Sequence, residues 1–214
     1  AVTSEDFAYV PFHTPYPGMV RKAALFAYRH TIRDTPVEDE LADAIGRQPR
    51  REAYGSEEAF DDAIRDYMDE LKTQPQYREW YASHIEPTLG ISQHVGNWYT
   101  GSVHIARAAA LYHAAETGQD LAGDRLLVGS YGSGAQAEVH AETVQDGWRG
   151  EVEALSIFDQ IDARHDLTFE EYERVHDRHN HEKQSELDPF TTPANEFVFD
   201  GWGRMNERQY RYVE

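Results

Sequence analysis

The chain contains no cysteine and little lysine, and each scarcity excludes something. Without cysteine it has no disulfide, no thiolate metal ligand and no cysteine nucleophile of its own. Lys22, Lys72 and Lys183 are its three lysines, so they leave 17 arginines among the 20 basic residues. Any mechanism that begins on a thiol would therefore have to take that thiol from outside these residues.

Positive charge as a whole is also scarce. The 214 residues include 39 acidic and 20 basic side chains, which gives a formal net charge of −19. Such a surface repels phosphate backbones, and this excludes nucleic acid as the default partner. An anionic small-molecule ligand would be repelled as well, unless local dipoles or arginines attract it.

An acidic surface that is poor in lysine is typical of proteins that stay soluble in concentrated salt, where the Debye length falls to about 3 Å at 1 M. We therefore interpret the sequence as that of a halophile's cytosolic protein. An ordinary acidic protein from a mesophile is the alternative, and the salt dependence of folding would separate the two.

Long apolar runs are missing too. No segment approaches the length of a membrane span, and no basic-then-apolar leader precedes Phe7. We expect no membrane association and a cytoplasmic location. The chain opens at Ala1 rather than at methionine and soon enters a strand-like segment, so we expect a piece excised from a longer protein. Its length suits one domain.

Hydrophobic periodicity predicts strands and helices in alternation. Residues 7–12 form an aromatic and β-branched run closed by proline, which is typical of a strand that delivers His13 to a loop. Residues 19–29 have helical spacing. Residues 36–90 predict a stretch of charged helices outside the strand–helix alternation, which we call the excursion. The alanine-rich segment 103–115 is the strongest predicted helix and stops at a glycine.

A hairpin is predicted in the second half of the chain. Residues 125–131 are a continuous apolar run, typical of a buried strand, and residues 135–144 alternate with period two after a tight Gly-Ser-Gly turn. Residues 151–183 have an acidic helical pattern, and residues 195–212 supply two more strand-like pieces. The predicted fold class is α/β.

Three segments rich in small residues indicate a site built between loops. Residues 12–15 read Phe-His-Thr-Pro, residues 95–102 read Val-Gly-Asn-Trp-Tyr-Thr-Gly-Ser, and residues 128–134 read Val-Gly-Ser-Tyr-Gly-Ser-Gly. Glycine and serine at this density let the backbone approach a ligand closely and supply N–H donors. Taken alone, His13 also fits a structural hydrogen bond, and Asn97 also fits a turn or cap.

In this order and spacing, the three segments resemble the C-terminal half of the hydroxymethylglutaryl-CoA synthase family, a branch of the thiolase superfamily. The resemblance covers about residues 7–150 well and rests on residues 197–212 beyond that. It implies a thiolase-like fold in which this chain is the C-terminal pseudo-repeat, a mixed sheet covered by helices, with a helical insertion at about 36–90. Residues 1–214 would then be one C-terminal domain, and the N-terminal half would be absent.

The resemblance also implies roles for particular residues. His13 would bind the acetoacetyl-CoA thioester oxygen and stabilise the charge that develops there, Asn97 would contact the acetoacetyl group, and Tyr131 would orient the substrate together with Ser130 or Ser133. Many family members place a lysine five residues after the histidine, where it can meet a CoA phosphate, but this chain has Gly18 there. Arg21 and Lys22 are the substitutes that we expect to bind substrate, helped by the N-terminus of their helix.

In that family the chemistry begins on an acetylated cysteine assisted by a glutamate, and both lie in the N-terminal half. The implied reaction is a Claisen-type condensation of acetyl-CoA with acetoacetyl-CoA and water, which gives 3-hydroxy-3-methylglutaryl-CoA and CoA for isoprenoid synthesis. No metal or redox cofactor is implied. The implied partners are the CoA thioester substrates, the missing N-terminal half and, for the intact enzyme, a second copy in a homodimer. As an excised half, this chain would be inactive alone; a complete protein that has lost catalysis is the alternative.

The residues also allow three other interpretations. His176, His179 and His181 have a spacing that invites a metal site, but the neighbouring Asp and Arg fit a solvated acidic helix, and we predict no metal. Another thiolase-fold acyltransferase, such as a ketoacyl synthase, is disfavoured by the loop at 95–102. A noncatalytic thiolase-like scaffold or partner subunit is the alternative from a different functional class.

Overall fold

The structure, a computed structural model, describes residues 6–132, 136–177, 195–205 and 207–213. The chain divides into two units, Ala1–Phe158 and Asp159–Glu214, which are described separately. That the 214 residues form one domain remains a prediction.

Four helices open the first unit, over the stretches where the sequence predicts a helix and a helical excursion. They are α1 (Pro17–Thr31), α2 (Pro36–Ile45), α3 (Glu57–Leu71) and α4 (Pro75–His84). Three of them begin with proline, whose fixed φ suits the first turn and whose missing N–H costs nothing there. In α3 the hydroxyl of Ser56 instead accepts a hydrogen bond from the Ala59 amide at 3.2 Å.

The hydrophobic core of this unit lies between these helices. The rings of Tyr28, Tyr77 and Trp80 pack against one another, with centroids 5.1 to 6.3 Å apart. Fully buried aliphatic side chains complete the cluster, among them Leu41, Leu71, Ile85 and Leu89. The excursion therefore shares its apolar core with α1, and it also contains short 3₁₀ turns at Arg51–Ala53 and Glu86–Leu89.

Helix α5 (Ser102–Thr117) is the predicted alanine-rich helix, and it follows a 3₁₀ turn at Tyr99–Gly101. Its alanines are buried at several turns, which lets neighbouring elements approach its backbone closely. The helix ends at Gly118, whose φ of 75° is the left-handed conformation that favours glycine. It packs mainly against the 86–89 turn and α6 (Trp148–Ala154).

The predicted hairpin is present. Strands β1 (Arg125–Gly132) and β2 (Gln136–Thr143) pair antiparallel, with Val128 opposite His140. The middle of β1 is buried, whereas nearly every residue of β2 is exposed, on both faces of the strand. The first unit therefore leaves one strand of its sheet uncovered.

The predicted strand at 7–12 pairs parallel with β1, but only as two isolated bridges, Tyr9 with Leu126 and Phe12 with Gly129. The Ala8 amide donates to the Arg125 carbonyl at 2.8 Å, and the His13 amide donates to the Gly129 carbonyl at 2.8 Å. Pro11 has no N–H and contributes only its carbonyl, which interrupts a regular ladder. The sheet is therefore an antiparallel hairpin with two parallel bridges beside it, and His13 lies at the end of the parallel pairing.

Gly129 is the position where this pairing is tightest, and it carries a testable prediction. A Cβ built there would lie 2.8 Å from the Phe12 ring. We expect Gly129→Ala to lower the free energy of unfolding by about 1–3 kcal/mol, the usual cost of overpacking. Denaturant unfolding at constant salt measures this. Gly132→Ala in the same strand is the matched control because a Cβ there meets nothing within 4 Å; equal losses would contradict the argument.

The second unit contains the end of α7 (Ile157–Asp162), helix α8 (Phe169–Asp177) and a hairpin of β3 (Glu196–Trp202) with β4 (Arg208–Val213). These elements fall where the sequence predicts acidic helices and two strand-like pieces. The N-terminus of α8 is closed by Thr168 and Glu171, since the Glu171 carboxylate accepts from the Thr168 amide at 2.8 Å. Among all the residues described, no helix has the length and apolar character needed to cross a membrane.

Candidate functional site

An open cleft of about 560 Å³ lies where the three small-residue segments meet. His13 lines it from the end of the parallel pairing, Asn97 from the loop before α5, and Ser130 and Tyr131 from the end of β1. These four residues are far apart in sequence, and all four were candidates on sequence grounds. Ser133, the remaining candidate from that turn, lies outside the described residues.

His13 is held at three points. Its amide donates to the Gly129 carbonyl, its Nδ1 lies 2.9 Å from Ser102 Oγ, and its ring meets the Tyr131 ring edge-on at 4.6 Å between centroids. Partial burial lowers the pKa of His13 below its usual value. Burial therefore favours the neutral imidazole, which lies at the wall of the cleft in an orientation fixed by these contacts.

Ser102 is a residue of this site that the sequence reasoning missed. Its side chain is only 3% exposed, and its Oγ accepts a hydrogen bond from the Thr14 amide at 3.0 Å. It is the first residue of α5, and it ends the Val-Gly-Asn-Trp-Tyr-Thr-Gly-Ser segment. Its position in that segment was therefore the sequence feature that could have identified it as a site residue. A serine at the start of a helix, however, is ordinarily explained by capping.

Asn97 combines a turn role with access to the cleft. Its Oδ1 accepts a hydrogen bond from the Tyr99 amide at 2.7 Å, which closes an Asx turn. This turn accompanies the left-handed backbone of Tyr99, whose φ is 48°. Because the amide oxygen of Asn97 is engaged in this way, its NH₂ group is the part that can donate to a ligand.

Tyr131 lies across the cleft from the loop of Asn97 and is 43% exposed. Its hydroxyl donates to the thioether sulfur of Met19 in α1 at 2.7 Å, and this contact joins β1 to the first helix. Ser130 is half-buried beside it. The ring of Tyr131 is therefore fixed at both ends, by Met19 and by His13.

Arg21 and Lys22 are placed elsewhere. Both are exposed on α1, and neither belongs to the residues that line the cleft. Arg21 hydrogen-bonds Tyr81 of α4, and this contact opposes the rise in the pKa of Tyr81 that burial causes. A role for either side chain with a CoA phosphate remains a prediction. At Gly18 the backbone lies close to the Tyr16 ring, 2.9 Å from where a Cβ would stand.

Strand β2 adds two polar side chains to the cleft, Gln136 and Glu138, which the sequence reasoning did not single out. Their alternation with exposed apolar residues was visible, but which face of the strand turns toward His13 depends on the register with β1. The ionisable groups among the lining residues are thus a histidine, two tyrosines and one carboxylate. Such a lining suits a neutral carbonyl group better than a phosphate.

A metal centre was not predicted, and the structure offers no candidate within the described ranges. There, no group of three or more His, Cys, Asp or Glu side chains is positioned to hold an ion. His179 and His181 lie outside those ranges, as does the side chain of His176.

Comparison with known proteins relates this geometry to other sequences. A family model described as hydroxymethylglutaryl-coenzyme A synthase C terminal matches residues 1–202. The chain is 62% identical over 208 residues to the hydroxymethylglutaryl-CoA synthase of Haloferax volcanii. That match covers 97% of this chain and 47% of the Haloferax protein. It is 31% identical over 162 residues to the cytoplasmic hydroxymethylglutaryl-CoA synthase of Homo sapiens. That match covers 75% of this chain and 29% of the human protein. The chain thus spans about half the length, or less, of these curated relatives.

Solved structures agree in fold. One, described as MvaS in complex with 3-hydroxy-3-methylglutaryl coenzyme A, superposes with a TM-score of 0.65 at 25% identity, covering 100% of this chain and 43% of that one. Another, described as PksG, a HMG-CoA synthase from Bacillus subtilis, has a TM-score of 0.65 at 19% identity. It covers 100% of this chain, and the match spans 45% of the PksG chain. The predicted thiolase-like fold of mixed helix and sheet is confirmed.

Proposed function

The chain belongs to the hydroxymethylglutaryl-CoA synthase family, as its C-terminal domain, and from this premise we propose that it binds the second substrate in that condensation. The proposed reaction joins acetyl-CoA to acetoacetyl-CoA, consumes water, and gives 3-hydroxy-3-methylglutaryl-CoA and CoA. The full protein is then an acyltransferase. The observation that carries the proposal is the convergence of His13, Asn97 and Tyr131 on one cleft.

The chemistry of the cleft supports binding of the acyl end of acetoacetyl-CoA. His13 and Asn97 each offer an N–H donor, and both come from segments that are fixed by hydrogen bonds. Donors held in place before the reaction stabilise negative charge as it develops on a carbonyl oxygen, without reorganising. We assign this role to His13, with Asn97 contacting the acetoacetyl group and Tyr131 and Ser130 orienting it. No metal or redox cofactor takes part in this proposal.

The thiol and the general base of the reaction would come from an N-terminal half. The absence of cysteine from the 214 residues supports this division, as does the exposure of β2 on both faces. The matched share of the Haloferax relative also leaves room for an N-terminal half of similar size. We further propose a homodimer of the intact enzyme, a cytoplasmic location, and a requirement for salt, in keeping with the Haloferax relative.

The test is a condensation assay in concentrated KCl with two proteins, the longest reading frame that contains these residues and the 214-residue chain alone. We expect activity from the longer protein and none from the chain, because the chain lacks a thiol nucleophile. We also expect activity and folding to fall together as KCl is removed, since the unscreened net charge of −19 destabilises the compact state.

Two outcomes would contradict the proposal. Condensation by the 214-residue chain alone would place the nucleophile within these residues. A folded longer protein that lacks activity would favour the scaffold interpretation. Circular dichroism of both proteins in the assay buffer is the control that separates lack of activity from lack of folding.

A further inference from the structure

The environment of Ser102 fixes which nitrogen of His13 carries the proton. The side chain is buried, so its O–H needs an acceptor within the protein. Two groups lie within hydrogen-bond distance of its Oγ, the Thr14 amide at 3.0 Å and His13 Nδ1 at 2.9 Å. An amide N–H can only donate, and it therefore occupies a lone pair of the oxygen and leaves the hydroxyl proton free.

Only one of these two neighbours can accept that proton. If Nδ1 of His13 were protonated, Ser102 Oγ would accept twice and its own O–H would remain unpaired in a buried position, which is costly. If Nδ1 is bare, every group is satisfied at once: Thr14 donates to Ser102, and Ser102 donates to His13. A neutral imidazole has one N–H, so its proton must then be on Nε2.

We propose that Ser102 is a positioning residue that holds His13 in the tautomer with the proton on Nε2, so that the cleft receives a hydrogen-bond donor and not an acceptor. The three contacts of His13 leave Nε2 as the ring nitrogen available to a ligand. The other tautomer would place a lone pair against a carbonyl oxygen and repel it.

The backbone supports the same arrangement. Ser102 is the first residue of a 16-residue helix, whose N-terminal N–H groups carry partial positive charge and disfavour a cation nearby. Thr14 is itself tied down, because its hydroxyl donates to the Phe12 carbonyl at 2.7 Å. Ser102 therefore lies between α5 and the segment of Thr14, and the hydrogen bond from the Thr14 amide fixes the position of its hydroxyl oxygen.

The first measurement determines the tautomer of His13 in the unsubstituted protein. With ¹⁵N-histidine incorporated into the protein of the longest reading frame, and with the His13 signals assigned by their loss in His13→Gln, the ¹⁵N shifts report which ring nitrogen is protonated. We expect a bare nitrogen at Nδ1 and a protonated one at Nε2 at neutral pH. A proton on Nδ1 would overturn the inference.

The second measurement compares Ser102→Ala with Ser102→Thr, which keeps a hydroxyl. The effect on rate rests on the proposed function. We expect Ser102→Ala to lower the kcat of condensation by about 10- to 100-fold, by analogy with the loss seen when a partner that orients a metal-ligating histidine is removed. Acetylation of the enzyme by acetyl-CoA should change little, and Ser102→Thr should recover most of the rate.

The outcomes can be told apart. A serine that only anchors the Thr14 amide would leave the ¹⁵N pattern of His13 and the acid limb of the pH–rate profile unchanged in Ser102→Ala, and this result would overturn the inference. Equal condensation rates in Ser102→Ala and the wild type would overturn it as well. If the wild type does not condense at all, the proposed function fails, but the ¹⁵N pattern still decides the tautomer.

Discussion

Replacement of His13 by alanine in the longer protein is expected to lower condensation with acetoacetyl-CoA by about 100- to 1,000-fold, the usual loss for one donor to a developing oxyanion. The side chain lines the cleft and is held by contacts with Ser102 and Tyr131. Acetylation by acetyl-CoA should persist, because we assign its thiol to the other half of the enzyme. Single-turnover assays of the two steps measure the two rates separately.

His94→Ala is the control for this experiment. His94 is an exposed histidine that does not line the cleft, and its loss should leave both steps near wild type. Equal loss of acetylation and condensation in His13→Ala would contradict the assigned role, since it would indicate a general structural effect. An unfolding curve for each variant checks that possibility directly.

The largest effect on stability is expected from Arg50→Ala. The carboxylate of Glu38 is 2% exposed, accepts a hydrogen bond from the Asp34 amide at 2.7 Å, and lies 3.2 Å from the Arg50 guanidinium. Removal of the arginine leaves a buried negative charge without its ion-pair partner, which costs about 2–4 kcal/mol of unfolding free energy. Denaturant unfolding of the 1–214 chain in constant salt measures it.

The neighbouring arginine provides a matched control. Arg51 pairs with Glu57 at 2.9 Å, but both side chains are exposed. Exposed pairs contribute about 0–1 kcal/mol, and concentrated salt weakens them further. Arg51→Ala should therefore change stability little, whereas a loss equal to that of Arg50→Ala would show that burial of Glu38 is not what matters.

Local patterns in the sequence were enough to predict the regular elements. Helical spacing identified α1 and α5, and a continuous apolar run followed by alternation identified the β1–β2 hairpin. These signals lie within a single segment and need no knowledge of tertiary contacts. The strand at 7–12 was weaker in the structure than predicted, because proline limits its backbone hydrogen bonding to β1.

The candidate site was only partly predictable. His13, Asn97 and Tyr131 were found through the resemblance of three motifs, and the structure brings them to one cleft. Ser102 and Glu138 were missed because their roles depend on contacts between distant segments. The hydroxyl of Ser102 meets Thr14, 88 residues away, and the side of the cleft that Glu138 occupies is set by strand register.

The parallel pairing of the first strand-like segment with β1 also bears on how the molecule reaches its native state. The two partners are separated by the whole excursion and by α5, so the cleft forms through contacts of high sequence separation, and topologies of this kind fold slowly. The entropy of closing such a connection grows only with the logarithm of its length, by about 0.6 kcal/mol per doubling. An insertion into a loop of the excursion therefore adds little closure entropy, and it leaves the contacts around the histidine in place.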